Sequence, residues 1–333
     1  MTTVARWPAS LPTVLKEWGR IGCIGFGGPP THIALLRDLC VVRRRWLSAE
    51  EFEHAVATCN LLPGPASTQL SIFCAWRVRG QVGALVGGLA FILPGLVLIL
   101  ALAALFLGSP PRWVLAAGAG AGAAVAAVAV QAGRALVGPS WHKAVEQSMR
   151  PRWLAYLLAG VVSAATLGPW LVLVLLACGA FELGLWLTVD RSRSGLTAAP
   201  LGVLASGTVT AGVLTSLSWV AFKVGALSYG GGFVIIPLMQ ADAVDRYGWM
   251  TGGAFLNAVA LGQVTPGPVV HTVAVVGYAA AGVVGALLAA AIAFGPSFVF
   301  VMVGGRHFAR LRANVRVRAF LDGAGPAAIG AIL

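Results

Sequence analysis

The chain has 333 residues, of which 58% are hydrophobic and only 10% are charged, and its mean hydropathy is +0.86. A soluble domain carries about 25% charged residues, so this composition predicts an integral membrane protein and excludes a soluble globular one. The net charge of +12 would favour nucleic-acid binding in a soluble protein. Here the arginines stand in short loops between apolar segments, where the positive-inside rule accounts for them, and no nucleic-acid partner is expected.

Apolar stretches long enough to cross about 30 Å of hydrocarbon as helices recur along the chain. They cover roughly residues 81–107, 113–133, 152–167, 169–187, 196–222 and 283–303. These stretches lack the alternation of apolar and polar residues that a membrane β-barrel requires, so the predicted fold is an all-α polytopic membrane protein. No continuous apolar core precedes residue 21, and a cleaved signal peptide is not expected.

The chain is predicted to contain two copies of one unit. Three features return 203 positions later: the aromatic-Gly-Gly motif at 26–28, Trp46, and Pro63-Gly64-Pro65, which is repeated as Pro266-Gly267-Pro268. After the second of these PGP motifs the register slips by one, so VGAL at 82–85 matches VGAL at 284–287. The predicted division is an N-terminal repeat over 1–195 (half 1) and a C-terminal repeat over 196–333 (half 2). Half 2 is shorter than half 1, which predicts that its C-terminal end is truncated.

Charges in equivalent loops predict that the two halves have opposite orientations in the membrane. The loop that holds Arg43, Arg44 and Arg45 in half 1 has only one arginine in half 2. The bias reverses after the third segment, where half 1 has Arg112 alone and half 2 carries a group of arginines between 306 and 318. This reversal is typical of an inverted-repeat transporter.

Broken or re-entrant helices are predicted at FGGPP, at YGGG and at both PGP motifs. Proline interrupts a helix, and irregular backbone at membrane depth is tolerated only where it is buried in protein or lines a wet cavity. At the first PGP motif a hairpin that enters and returns is favoured over a full span. Only the hairpin keeps Arg77 and Arg79 on the same side as Arg43 to Arg45.

A helix that begins after each break would direct free backbone N–H groups and the positive end of its dipole into a shared cavity. Four such helix starts from two inverted halves predict an anion site. The alternative, that these glycines and prolines only kink packed spans, stays open. The predicted anion-binding residues are Gly27, Gly28, Thr31, Pro63, Gly64, Pro65, Ala66, Ser67, Thr68, Gln69, Lys223, Gly230, Gly231, Gly232, Gln263, Thr265, Pro266, Gly267, Pro268 and His271.

His32 and Arg20 are candidates for a proton or charge relay. The alternatives are that His32 and His271 only pack in the interior or cap helices, and that the side chains of Arg20 and Lys223 extend to the membrane interface. We predict no enzymatic activity and no catalytic residues, because the sequence lacks the enzyme motifs H-E-x-x-H, the P-loop and G-x-S-x-G. The five cysteines are odd in number and lack C-x-x-C spacing, so no disulfide frame, metal site or cofactor is expected.

The motifs resemble those of the chromate ion transporter family. In half 1 they are GRIGCIGFGGPPTHIALL (19–36), RRRWLSAEEF (43–52) and CNLLPGPASTQLSIF (59–73). In half 2, KVGALSYGGGFVIIPLM (223–239) and GWMTGGAFLNAVALGQVTPGPV (248–269) resemble the C-terminal domain of that family. The resemblance covers essentially the whole chain. The family motifs fall on Gly25–Pro29, Leu62–Pro65, Ser228–Gly232 and Thr265–Pro268.

The resemblance implies a long-chain, two-domain secondary transporter that exports chromate across the inner membrane of a prokaryote, at a site for tetrahedral oxyanions of the sulfate type. Its partners would be chromate or a sulfate-like oxyanion and the lipid bilayer, and a homodimer stays open. An importer or exchanger of sulfate-type anions stays open too, as does a membrane-embedded enzyme or assembly subunit. Neither the coupling ion nor the side of the N-terminus follows from the residues.

Overall fold

The computed structural model describes residues 9–59, 64–108, 140–166, 171–190, 212–228, 235–305 and 314–332, together with scattered positions between 116 and 138. Within these residues every regular element is helical and none is a strand. The predicted all-α fold is therefore confirmed for the part of the chain that the structure describes.

The principal α-helices of this part are named in chain order. They are α1 (Leu11–Ile24), α2 (Pro29–Arg37), α3 (Ala49–Cys59), α4 (Ala66–Leu107), α5 (Arg150–Thr166), α6 (Leu171–Asp190), α7 (Val213–Leu227), α8 (Ile235–Gln240), α9 (Gly252–Val264), α10 (Thr272–Gly304) and α11 (Val315–Ile332). Two π-helical segments, Asp38–Arg43 and Ala241–Arg246, continue α2 and α8, and a 3-10 turn at Val269–His271 leads into α10.

The two halves share backbone conformations as well as sequence motifs. The π-helical segments Asp38–Arg43 and Ala241–Arg246 correspond residue for residue at the offset of 203. An equivalent backbone hydrogen bond follows the end of each π-helical segment. Trp46 N–H donates to the Cys40 carbonyl at 2.8 Å, and 203 positions later Trp249 N–H donates to the Ala243 carbonyl, also at 2.8 Å.

The slip of one residue between the halves has a structural counterpart. Half 1 begins α4 directly at Ala66, whereas half 2 first makes the 3-10 turn at Val269–His271. The next shared feature is a glycine with positive φ, Gly80 (φ 65°) in half 1 and Gly282 (φ 61°) in half 2, and these are 202 positions apart. A 3-10 helix rises about 2.0 Å per residue and an α-helix about 1.5 Å, so the three residues of the turn cover the length of about four α-helical residues, which matches the slip of one residue.

α4 reverses direction part-way along its length. Arg79 (φ −144°) and Gly80 leave the helical conformation, and beyond them Gly87 lies directly against the Ala75 side chain. In a straight helix these two residues would be about 18 Å apart. A short arm (66–78) and a long arm (81–107) of α4 therefore pack side by side in opposite directions.

α10 reverses in the same way at Ala281 and Gly282, and its arms (269–280 and 283–304) pack through Gly277 and Gly285. Two helical runs in the described residues, Ala66–Leu107 and Val269–Gly304, have the length and apolarity of membrane spans. After the reversal is taken into account, the long arms still rise about 40 Å and about 33 Å, enough to cross hydrocarbon about 30 Å thick. The short arms, at about 20 Å, are not long enough.

The long arms of α4 and α10 lie against each other in opposite directions. Gly88 of α4 faces the Phe298 ring of α10. Gly305, at the end of α10, faces the Trp76 ring, which precedes the reversal of α4. α10 therefore ends at the same end of the molecule at which the long arm of α4 begins.

α3 and the short arm of α4 also lie side by side. Arg77, near the end of the short arm, pairs with Glu51 in the first turn of α3. Arg37 at the end of α2 pairs with Glu53 at 3.2 Å. The basic residues of half 1 on both sides of the first PGP motif thus gather at one end of the molecule.

A smaller bundle of α5, α6 and α11 lies beside these helices. Within it, Glu182 of α6 accepts a hydrogen bond from the Tyr156 hydroxyl at 2.6 Å and pairs with Arg152 at 3.2 Å. This buried carboxylate is therefore satisfied within the bundle.

The first helix of each half packs closely on the corresponding long arm, and this contact yields a prediction. A Cβ on Gly225 of α7 would lie 2.7 Å from the Cα of Ala293, so Gly225→Ala should lower the thermal stability of the detergent-solubilised protein. Overpacking costs about 1–3 kcal/mol. Gly184→Ala is the matched control, because Gly184 has open space around it and should be neutral or slightly stabilising. Equal melting temperatures for the two variants would contradict the close α7–α10 approach.

Candidate functional site

The interrupted helices of the two halves meet at one place. Gly267 N–H, in the second PGP motif, donates a hydrogen bond of 2.9 Å to the Gly25 carbonyl at the end of α1. Gly64, in the first PGP motif, faces the Gly225 carbonyl near the end of α7. Each PGP motif therefore contacts the first helix of the other half.

Glycine is required at these breaks by the backbone conformation. The residues with positive φ are Gly27 (96°), Gly28 (72°), Gly64 (115°) and Gly267 (101°). L side chains rarely adopt such values, whereas glycine does so without steric cost. Prolines follow directly: Pro29 and Pro30 occupy the first turn of α2, and Pro65 precedes the first residue of α4, where no backbone N–H is needed.

Each of the two long arms also contains a proline at an equivalent position, Pro94 in half 1 and Pro296 in half 2. The residue after each proline faces the PGP motif of the other half. Gly95 lies against the Pro266 carbonyl and against His271, while Ser297 lies against Gly64. Each PGP motif is thus covered by the long arm of the opposite half.

His32 joins two of the breaks in half 1. Its Nε2 lies 2.9 Å from the Gly25 carbonyl and its Nδ1 lies 3.1 Å from the Ser67 hydroxyl oxygen. Because a carbonyl can only accept, Nε2 carries the proton, and Nδ1 of the neutral ring accepts from Ser67. His32 is completely buried and stacks edge-on against Phe91. In this arrangement it holds the first aromatic-Gly-Gly loop against the start of α4.

His271 has the same kind of surroundings but different bonding. It is completely buried, and its ring meets Phe294 at a centroid distance of 5.2 Å. Neither ring nitrogen makes a hydrogen bond to a described residue, although the Ile92 carbonyl faces the ring. The two buried histidines therefore differ: His32 is fully bonded and His271 is not.

Further buried polar atoms near the breaks lack hydrogen bonds to the described residues. They are the hydroxyls of Thr68, Ser228 and Ser297 and, on a half-buried side chain, Nε2 of Gln263. An unsatisfied buried polar group costs about 1–3 kcal/mol, so such groups are rare in isolation. Their concentration here makes the meeting point of the breaks the candidate site for a polar ligand.

Most of the remaining predicted residues lie at the helix starts that follow the breaks. Pro65, Ala66, Ser67 and Gln69 are buried at the start of α4, and Thr31 and Pro268 lie in the first turns after their breaks. The Thr68 and Gln69 N–H groups donate to the Pro65 carbonyl at 3.0 Å, and the Thr265 hydroxyl donates to the Leu261 carbonyl at 2.8 Å. These groups are used within their own helices. The predictions for Pro63, Gly230, Gly231 and Gly232 lie outside the described residues.

Lys223 and Arg20 occupy equivalent positions with different surroundings. Lys223 is buried and paired with Asp242. Arg20 is exposed on α1. Asp242 lies in the second π-helical segment and is only 1% exposed. Because Asp242 neutralises the ammonium, Lys223 adds no net charge to the interior.

Three polar residues near these contacts, Ser228, Ser297 and Asp242, were not among the predicted ligands. Ser297 could have been found from the sequence, because it follows Pro296, which lies 202 positions after Pro94. Ser228 could have been found as well, because it stands at the offset of 203 from Gly25. Both substitute a hydroxyl where half 1 has glycine.

The arrangement offers neutral donors rather than a buried positive charge. Hydroxyls, an imidazole and helix starts can together surround a small anion and donate hydrogen bonds to it. The side chains involved are almost wholly buried: Ser67 is 2% exposed, and Thr68, Ser228, His271 and Ser297 are at 0%. The structure is therefore closed around this site.

Comparison with known proteins identifies relatives over most of the chain. The model of the family described as Chromate transporter matches residues 13–183 and 215–333. The chromate transport protein of Pseudomonas aeruginosa is 31% identical over 98% of this chain and 80% of its own length. The probable chromate transport protein of Synechococcus elongatus is 31% identical over 97% and 83%. The chromate transport protein of Cupriavidus metallidurans is 30% identical over 94% of this chain and 78% of its own length. No solved structure matches the chain significantly.

The contrast between the two histidines predicts a difference in stability. His32→Ala removes two hydrogen bonds, worth about 1 kcal/mol each, whereas His271→Ala removes none to the described residues. Both rings make one edge-on contact with a phenylalanine, so the packing losses are similar. We expect His32→Ala to have the lower melting temperature in detergent. The reverse order would show that His271 carries structural bonds that this geometry does not account for.

Proposed function

Because the chain belongs to the chromate transporter family, we propose that it is a secondary transporter that exports chromate from the cytoplasm across the inner membrane. The motifs predicted this membership, and the family match over both halves confirms it. The observation that carries the proposal is the group of buried, unbonded donors where the breaks of both halves meet. Chromate is a tetrahedral oxyanion, and its four oxygens would accept hydrogen bonds from such donors.

We place the anion between the two PGP motifs. On one side it would meet the hydroxyl of Thr68 at the start of α4, next to Ser67, whose own proton is donated to His32, and on the other His271 and Ser297. Helix starts favour a negative charge through their free N–H groups and dipole. With no net charge buried at the site, the anion is held by hydrogen bonds that can be exchanged for water when the site opens. Binding that is strong enough for entry and weak enough for release suits transport.

The proposed membrane architecture is an inverted repeat with a re-entrant hairpin in each half. Its support is the opposite direction of the α4 and α10 long arms, together with short arms that cannot span the bilayer. In half 1 the hairpin consists of α3 and the short arm, joined at the first PGP motif. The pairing of Arg77 with Glu51 brings its two ends together on the cytoplasmic side.

Export of a dianion needs no ATP. Moving two negative charges out of an inside-negative cell yields about 4.6 kcal/mol per 100 mV, at about 2.3 kcal/mol for each charge. That amount corresponds to a gradient of more than a thousandfold, since about 1.4 kcal/mol is one factor of ten. The membrane potential therefore suffices as a driving force.

Chromate flux in proteoliposomes tests the transport proposal. Ser297→Ala and His271→Ala should each reduce chromate transport at sub-saturating concentration by about tenfold, because a hydrogen bond to a charged group is worth about 1.5–3 kcal/mol. Ser163→Ala is the matched control, a buried serine that bonds the Gly160 carbonyl of its own helix in the peripheral bundle. Unchanged flux in the first two variants, with protein confirmed in the membrane, would refute this site. Saturable sulfate flux with no chromate flux would favour the sulfate alternative.

Accessibility of single cysteines tests the hairpin. In a background with the exposed Cys23 replaced by serine, Arg45→Cys and Arg77→Cys should react with a membrane-impermeant reagent only from the cytoplasmic side. Arg246→Cys, in the equivalent loop of half 2, should react only from the opposite side. If residues 51–77 crossed the membrane as a full span, Arg77→Cys would react from the side opposite to Arg45→Cys.

A further inference from the structure

A cavity outside the buried site opens between α1, α2 and the π-helical segment that follows α2. Its volume is about 200 Å³, and its charged lining consists of Glu17, Arg20, Asp38 and Arg43. A water molecule takes about 30 Å³ of the liquid, so the cavity can hold a tetrahedral oxyanion together with several waters. Isoleucine and leucine side chains of α1 and α2 complete its walls.

The charges in this cavity leave one cation unpaired. Arg43 donates to Asp38 at 2.7 Å, and Arg44 donates to Glu17 at 2.5 Å. Among the described residues Arg20 has no salt-bridge partner. The guanidinium of Arg20 is therefore the uncompensated charge of the cavity.

The cavity also has the right position for an approach to the buried site. Arg20 stands on α1, about 7.5 Å of helix rise before Gly25, whose carbonyl accepts the bond from Gly267. Ile24, which directly precedes Gly25, belongs to the cavity wall. The cavity thus ends where the first aromatic-Gly-Gly loop begins. It lies at the end of the molecule where Arg37, Arg44 and Arg77 gather, each of them paired with a glutamate.

Half 2 shows that the fold does not require this arrangement. The residue equivalent to Arg20 is Lys223, which is buried and held by Asp242. At the Asp242 position half 1 has Leu39, which cannot neutralise Arg20. The acidic positions of the cavity, Glu17 and Asp38, correspond to Val220 and Ala241 in half 2. One half therefore presents its cation in an open cavity, while the other neutralises the equivalent cation in the interior.

We propose that the cavity around Arg20 is an entry subsite, where a small oxyanion binds before it reaches the buried site. The inference rests on the proposed function. The planar guanidinium donates two parallel hydrogen bonds to two oxygens of the anion, a geometry that a lysine ammonium cannot reproduce. Glu17 and Asp38 remain bound to their own arginines and repel the anion. Occupancy is therefore brief, and the anion moves on toward the Gly25 loop.

The test compares Arg20→Gln with Arg45→Gln in the full chain, reconstituted into proteoliposomes with chromate as the probe. Both variants remove one positive charge from the same end of the molecule, but Arg45 does not line the cavity. At about 0.15 M salt the Debye length is about 8 Å, so long-range attraction is largely screened. Under these conditions Arg20→Gln should raise KM about three- to tenfold with kcat unchanged, and Arg45→Gln should raise it less than twofold. Arg20→Lys should recover only part of the loss.

Two results would overturn the subsite. Equal effects of Arg20→Gln and Arg45→Gln on KM would reduce Arg20 to a general surface charge. A fall in kcat at constant KM would place Arg20 in the conformational change instead of anion capture. If wild-type protein carries no chromate at all, the proposed function fails. The subsite is then decided by equilibrium binding of chromate to the solubilised protein, which Arg20→Gln must weaken and Arg45→Gln must not.

Discussion

One backbone hydrogen bond, from Gly267 N–H to the Gly25 carbonyl, joins the two halves at the depth where each interrupts its helices. Exposed peptide groups are very unfavourable in hydrocarbon, because lipid offers them no hydrogen-bond partner. Each break must therefore be covered by protein. The long arms supply this cover reciprocally, with Gly95 over the second PGP motif and Ser297 over the first. The same requirement explains why small residues recur wherever the arms meet, since only these permit such close approach.

The halves share a backbone but divide their chemical roles. In half 1, His32 is fully bonded and fixes the position of the loop and of the α4 start. In half 2, His271 and Ser297 have no hydrogen bonds to the described residues and are the ligands that we propose for the anion. The equivalent cations differ as well: half 1 exposes Arg20, whereas half 2 buries Lys223 and pairs it with Asp242. On the proposed function, half 1 would supply the rigid side of the site and half 2 most of its binding side.

Much of this organisation could be predicted from the sequence, because the backbone conformation decides where glycine and proline occur. A positive φ at Gly64 and Gly267 admits few other residues, so paired letters 203 positions apart predicted paired breaks. The reversal at Ala281 and Gly282 could not be predicted, because an apolar run rich in glycine and alanine suits a straight helix equally well, whereas the reversal at Arg79 and Gly80 agrees with the predicted hairpin followed by a span from residue 81. The burial of Asp242 was also unreadable, since it depends on Lys223, which lies on another helix. Predictions about which donors contact the anion stay predictions, and those for Gly230 to Gly232 fall outside the described residues.

The 3-10 turn at Val269–His271 has a consequence for the transport cycle. At the proposed site, two identical halves would bind an anion in two equivalent poses and release it by symmetry-equivalent routes. The 3-10 turn would remove that equivalence, because it shifts the register of half 2 by one residue relative to half 1. Each oxygen of a bound anion would then have distinct neighbours. Opening toward one face and opening toward the other would be chemically different steps, each with its own activation barrier.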